Sequence, residues 1–335
     1  MKILISFLCL LSFVFAEAAL ALAGGTNSAQ KDQSLEILTA NLSTALQEID
    51  EAGHRPDGIP CESIVRLRAA FMEFLQSAGE SAPQILKSLR FAPNMAISQD
   101  GKFRAYSVDI STGGTMGASY VAYQYASGGQ NFIMDFADKG AQQMQECVLG
   151  GRRDCACGDW AVGTAWGGDR VIKVFKVKEN LYLIYGASKG STKLTNDEFW
   201  AVEASEAGIN LANIFHYVRS CGGDCDCSKR SSLVSPPHDS ARFGIEYDFF
   251  SYSYLDGSDE IKNKYAKRTF LTFENGILGA LKVKYSDKYP DGELVDEYQY
   301  FKFDGEKFTI ESKIIHCEPG RIIEELVAPS SAQGL

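Results

Sequence analysis

The chain has 335 residues, 45% hydrophobic and 11% aromatic, with 33 Lys and Arg against 43 Asp and Glu for a net charge of −10. That apolar content can fill the core of one large domain or two modest ones. The acidic balance argues against nucleic acid as a partner, because phosphate contacts need clustered Lys and Arg.

The first residues, "MKILISFLCLLSFVFAEAALALA", place Lys2 ahead of an apolar run from Ile3 to Ala16 and end on Ala21-Leu22-Ala23. This is the order of a secretory signal peptide, residues 1–23, cleaved after Ala23. Its apolar run is shorter than the ~20 residues of a spanning helix. No later run is long and apolar enough to span a bilayer. The expectation is an exported chain, periplasmic or secreted, with no integral membrane segment after signal cleavage.

Residues 24–92 form an expected N-terminal helical segment. A polar lead-in, "GGTNSAQKDQ", gives way to Leu35, Leu38, Leu42, Leu46 and Ile49 at helical spacing, with Ser34 as the N-cap. "HRPDGIP" breaks the chain. A second helix fits residues 62–77, with Ile64, Leu67, Phe71, Phe74 and Leu75 on one face, and a third begins near Ser81.

After Pro93 the periodicity becomes that of strands. Asp100-Gly101 marks a turn before a strand from Phe103 to Ile110, and Gly128-Gly129 joins "SYVAYQYAS" to "QNFIMDFA" as a hairpin. "VIKVFKVKENLYLIYGAS" turns at Glu179-Asn180. A helix is expected around 206–219. The loop-like "SSLVSPPHDS" at 231–240 suggests a boundary between a β-rich region, 93–230, and a C-terminal antiparallel meander, 231–335. In the meander, strand pairs join at Asp256-Gly257, Asn275-Gly276 and Asp304-Gly305. The fold class expected is mainly β, an antiparallel meander or sandwich with a β-propeller as the alternative, preceded by the α-helical segment.

Of nine cysteines, Cys9 leaves with the signal and eight remain: Cys61, Cys147, Cys155, Cys157, Cys221, Cys225, Cys227 and Cys317. An even number in an exported chain reads as a disulfide framework. Cys147/155/157 and Cys221/225/227 are odd clusters, so each must send at least one bond outward if every thiol is oxidised. Those bonds either join the clusters, leaving Cys61 to pair with Cys317, or run from the clusters to those two. A long-range bond of this kind contributes roughly 2–4 kcal/mol. Two C-x-C units could supply zinc with thiolates, but their spacing is not that of structural sites, and no metal or cofactor is expected.

Two segments carry ligand-binding candidates. "CGDWAVGTAWGGDR", 157–170, sets Trp160, Trp166 and Asp159 among glycines beside a cysteine cluster, where the indoles could face a sugar or peptide or enter the core. "SQDGKFRAYSVDISTGGTMG", 98–117, puts Arg104 and Tyr106 on one strand face. The form D-G-K-x-R-x-Y-S-x-D-x-x-T-G-G-T-M resembles a stretch of uncharacterised exported bacterial proteins. The resemblance covers this run and implies no activity. The acidic turns at 255–260 and 289–297 lack the ligand spacing of an EF-hand. His238-Asp239-Ser240, following two prolines, reads as a loop rather than as a catalytic trio, whose members meet from distant positions.

These features point to an exported, disulfide-stabilised β protein with a non-catalytic binding, inhibitory or envelope-interaction role, its partner a carbohydrate, a peptide or an envelope protein. A hydrolase acting on carbohydrate or peptide and a thiol-cluster metal-binding protein are the alternatives.

Overall fold

The computed structural model describes residues 33–53, 59–110, 119–135, 170–189, 194–221, 237–248, 270–286, 292–318 and 321–327. The apolar stripe beginning at Leu35 becomes helix α1, 33–53. Helix α2, Cys61–Ala78, buries Ile64, Leu67, Phe71, Phe74 and Leu75 as their spacing requires. Pro60, in extended conformation, is its N-cap. A short turn leads into α3, Ala82–Ser88, with Pro83 in its first turn.

Four strands then form sheet I in the order β1-β2-β3-β4: β1 Asn94–Ile97, β2 Phe103–Asp109, β3 Ser119–Ser127 and β4 Gln130–Met134. Next come β5 Arg170–Lys178, β6 Leu181–Lys189, β7 Leu194–Ser205, β8 Gly208–Leu211 and β9 Phe215–Cys221. β10 His238–Ser240 and β11 Arg242–Asp248 follow. The last strands are β12 Leu271–Glu274, β13 Ile277–Lys284, β14 Glu293–Lys302, β15 Phe308–Glu318 and β16 Arg321–Leu326. Sheet II runs β11-β7-β6-β5 with β8 also on β7; sheet III runs β10-β9-β15-β16; sheet IV runs β12-β13-β14.

These elements stack in layers. The helices pack on one face of sheet I, where Phe71 meets Tyr106 and Tyr120 edge-on at 5.8 and 5.9 Å. The other face of sheet I packs on sheet II, with Phe103 stacked on Tyr182 at 4.9 Å. The far face of sheet II packs on sheets III and IV through Phe215, Phe243, Phe301 and Phe308. Sheet I is thus covered on both sides, so β2 is buried along Phe103–Val108 and loses the apolar/polar alternation of a half-exposed strand.

The mainly β class with a helical N-terminal segment is as expected, and among the described residues no closed barrel or propeller forms. Three local expectations are corrected. Residues 206–219 are not helical: Gly208 has φ of +115°, outside the helical region, and Gly208–Leu211 pairs antiparallel with β7. In the run that follows, Phe215, Tyr217 and Val218 are residues that favour strands. Across the turn at Asp304-Gly305 pairing is limited to one antiparallel bridge, Phe303 to Phe308, and β14 and β15 belong to different sheets. The turn carries the chain from β14 in sheet IV to β15 in sheet III, where β15 lies parallel to β9. His238-Asp239-Ser240 is a short edge strand on β9 rather than a loop. Sheets II and III each draw strands from both sides of residue 231. The expected turn at Asp256-Gly257 lies outside the described residues.

Candidate functional site

Arg104 and Tyr106 sit on β2 facing the helices, where both are buried. The Arg104 guanidinium donates to Gln124 Oε1 at 3.1 Å and to the Gly79 carbonyl at 3.3 Å, and the Tyr106 hydroxyl donates to the same Gln124 oxygen at 2.7 Å. Gln124 Nε2 donates to Gly79 O and Asn131 Oδ1, and Asn131 Nδ2 to the carbonyls of Leu75 and Gln76. A helix leaves its last carbonyls without intrahelical donors. Here the side chains of β2, β3 and β4 supply donors to the end of α2, and a guanidinium suits the negative end of its dipole. Both candidates are therefore occupied in joining sheet I to the helices.

A second clamp joins the same layers. Arg68 on α2 pairs with Asp135 through Nε to Oδ2 at 2.5 Å and Nη2 to Oδ1 at 3.0 Å, and the Tyr120 hydroxyl donates to Asp135 at 3.2 Å. Between sheets I and II, Asp100 accepts from Ser98, Lys176, the Lys102 amide and Tyr182. Burial alone would raise the Asp100 carboxyl, but these donors outweigh it and hold the carboxyl at about 2. In sheet II, Asp197 is buried and accepts from the hydroxyls of Tyr185 and Tyr247. Burial raises its carboxyl above the ordinary range despite those two donors.

The histidine and aspartate noted at 238–240 have other partners. Asp239 meets His216 Nδ1 at 2.8 Å across β10 and β9 and Lys307 Nζ at 2.6 Å, and these two partners hold its carboxyl below the ordinary range. His238 stacks on Tyr217 at 5.3 Å with rings 12° from parallel. His216 and Tyr217 are successive residues of β9, so their side chains leave opposite faces of sheet III.

On the Tyr217 side, sheets II, III and IV meet around a cavity of about 190 Å³. Its walls are Tyr217 and Arg219 from β9, Gly244 and Ile245 from β11, Lys282 and Val283 from β13, Tyr285 just beyond β13, Gln299 from β14 and Leu326 from β16. Three features shape it. The Tyr217 hydroxyl donates to the Arg242 carbonyl at 2.9 Å, which with the His238 stack fixes that ring across β9 and β11. The β13/β14 ladder breaks at Lys282: Leu281 pairs with Tyr298 and Val283 with Leu294, so residues 295–297 of β14 stand opposite Lys282 alone. Such irregularities bend a strand and re-aim its side chains. Third, Gly292 has φ of +96°, and a Cβ there would lie 2.5 Å from Val283 and 3.1 Å from Tyr285. Glycine is required for those two wall residues to stand where they do.

Gln299 closes the cavity. Its Nε2 donates to Leu326 O at 2.9 Å, which fixes the orientation of the amide, and its buried Oε1 has no hydrogen-bond partner. Leaving an acceptor buried and unpaired costs about 1–3 kcal/mol.

Of the other candidates, Trp160, Trp166, Asp159, Cys147, Cys155, Cys157, Cys225 and Cys227 lie outside the described residues. Cys61 opens α2, Cys221 ends β9 and Cys317 lies in β15. The parallel register sets Cys221 opposite Ile314, so Cys317 is near the same end of sheet III. Among the described residues no group of three or more His, Cys, Asp or Glu is gathered to hold a metal, and no helix is long and apolar enough to cross a membrane.

The cavity residues escaped the sequence because they come from five strands and the chain beside one of them. Lys282 and Tyr285 look like part of an ordinary alternating strand until the ladder break is seen. No family model, no curated protein and no solved structure matches the chain.

Proposed function

We propose that the protein is an exported, disulfide-stabilised binding protein whose ligand enters the cavity between sheets II, III and IV. The observation that carries this reading is the convergence of two tyrosines, two cations and a buried amide on one recess, in a chain whose net charge is −10. Ligand sites tend to be concave, largely apolar and fitted with a few fixed polar groups. At about 190 Å³ the recess is smaller than the ~300–1,000 Å³ of a pocket for a drug-sized molecule. It suits one protruding unit of a larger partner, a sugar ring or a side chain, and half-buried Tyr217, Arg219, Lys282 and Tyr285 line its approach.

Export rests on the signal-like residues 1–23, and the resemblance of residues 98–117 to exported proteins agrees with it. The disulfide framework rests on the even count of eight cysteines that follow the signal-like segment. The position of Cys317 near the same end of sheet III as Cys221 favours the version in which the second cluster sends its outward bond to Cys317.

Two experiments test this reading. Intact mass of the exported chain, before and after alkylation without reductant, gives cleavage after Ala23 and eight unreactive thiols; alkylation of several thiols contradicts the framework. A thermal-shift screen of the same material against oligosaccharides and short peptides yields ligands whose effect is lost in Tyr217→Leu. Ligands whose effect survives that change place binding elsewhere.

A further inference from the structure

We infer that the cavity is built for an acidic carbohydrate, a sugar ring bearing a carboxylate; this rests on the reading of the cavity as the binding site. Lys282 is the residue that selects the charge. It stands half-buried where the β13/β14 ladder is interrupted, and among the described residues no side-chain carboxylate lines the recess with it. An ammonium in a partly desolvated recess bonds a carboxylate more strongly than it bonds a neutral hydroxyl.

The rest of the recess suits a saturated ring with hydroxyls at its edge. Tyr217 presents a flat face held by its hydroxyl bond to Arg242 O and by the His238 stack, so little freedom is lost when a ring settles on it. The C–H face of a pyranose is apolar and matches such a wall, with Val283 and Leu326 completing the apolar lining. The Tyr217 and Tyr285 side chains bring hydroxyl-bearing rings to the same lining. A pyranose ring is also of the size the recess admits. An acidic peptide would supply the carboxylate but no compact ring for the Tyr217 wall.

The test is calorimetric titration of the mature oxidised chain with trigalacturonate, with the neutral trigalactose of the same linkage and with an acidic tripeptide. The titrations are repeated with Lys282→Gln and Lys282→Glu, and each variant's fold is checked by its unfolding temperature. Trigalacturonate is expected to bind at least about tenfold more tightly than the neutral sugar and to lose about tenfold or more in Lys282→Gln. Lys282→Glu is expected to abolish binding, and added salt to weaken it in the unmodified chain. Equal binding of the neutral sugar, lost in Tyr217→Leu, overturns the preference for acid and leaves the cavity as a binding site. Tighter binding of the acidic tripeptide overturns the sugar assignment in the same way. Trigalacturonate binding that is unchanged in both Lys282 variants overturns the inference, and its loss or survival in Tyr217→Leu then decides the cavity. Failure of trigalacturonate to bind overturns the inference alone, while the oligosaccharide and peptide screen still decides the broader reading.

Discussion

Between α2 and sheet I the layers are joined by buried polar side chains as well as by apolar packing, whereas between sheet II and sheets III and IV the contact is almost wholly aromatic and aliphatic. In the first interface Arg104, Gln124 and Asn131 reach carbonyls at the end of α2, and Arg68 pairs with Asp135. In the second, Phe243 of sheet II packs against Phe215 of sheet III at 5.8 Å and Phe301 of sheet IV at 5.5 Å. The difference follows from backbone chemistry. A helix that ends against a sheet brings unpaired carbonyls into the interface, and these need donors. Two sheets packed face to face have already satisfied their backbones in the ladders, so apolar side chains suffice.

The contrast can be broken at defined positions. Phe308→Ala removes a fully buried ring and is expected to cost about 3–5 kcal/mol in denaturant unfolding. Asp135→Ala removes the carboxylate paired with Arg68, whose side chain is 12% exposed, and is expected to cost about 3 kcal/mol; the double replacement Arg68→Met, Asp135→Leu should recover most of that loss. If the double variant were as unstable as the single, the pair would be needed for more than mutual neutralisation. Gln124→Leu leaves Arg104, Tyr106 and the Gly79 carbonyl short of a partner, for about 2 kcal/mol, and Tyr106→Phe removes one hydrogen bond, for about 1 kcal/mol.

The smallest effect expected is one of pH. The Asp100 carboxyl, at about 2 in the folded chain, lies below the ~3.9 of an unfolded aspartate, so its contribution to stability is full above that value. It is lost as pH falls from about 4 towards 2. Unfolding midpoints measured across that range should drop less steeply in Asp100→Asn, whereas an identical slope would remove Asp100 from the account.

The helices and most hairpins were legible because their signals are local. Leu42, Leu46 and Ile49 keep helical spacing, and the turns at Gly128-Gly129, Glu179-Asn180 and Asn275-Gly276 each join antiparallel neighbours. What depends on distant partners was not legible. The parallel pairing of β9 with β15 joins Phe215 to Phe308 across much of the chain, and no turn residue announces it. Residues 206–219 carry apolar positions that also fit a helix, and it is sheet pairing of β8 with β7 and of β9 with β15 that decides against one. The cavity shares this difficulty: Tyr217 lies in sheet III and Lys282 and Gln299 in sheet IV, and only the packing of the sheets brings them together.

The most direct measurement of the central claim is hydrogen exchange of the mature oxidised chain with and without trigalacturonate. The account predicts added protection concentrated at residues 217–219, 282–285 and 299, with residues 104–107 and 124 unchanged. Protection centred on Arg104, Tyr106 and Gln124, with none at the cavity, would contradict it.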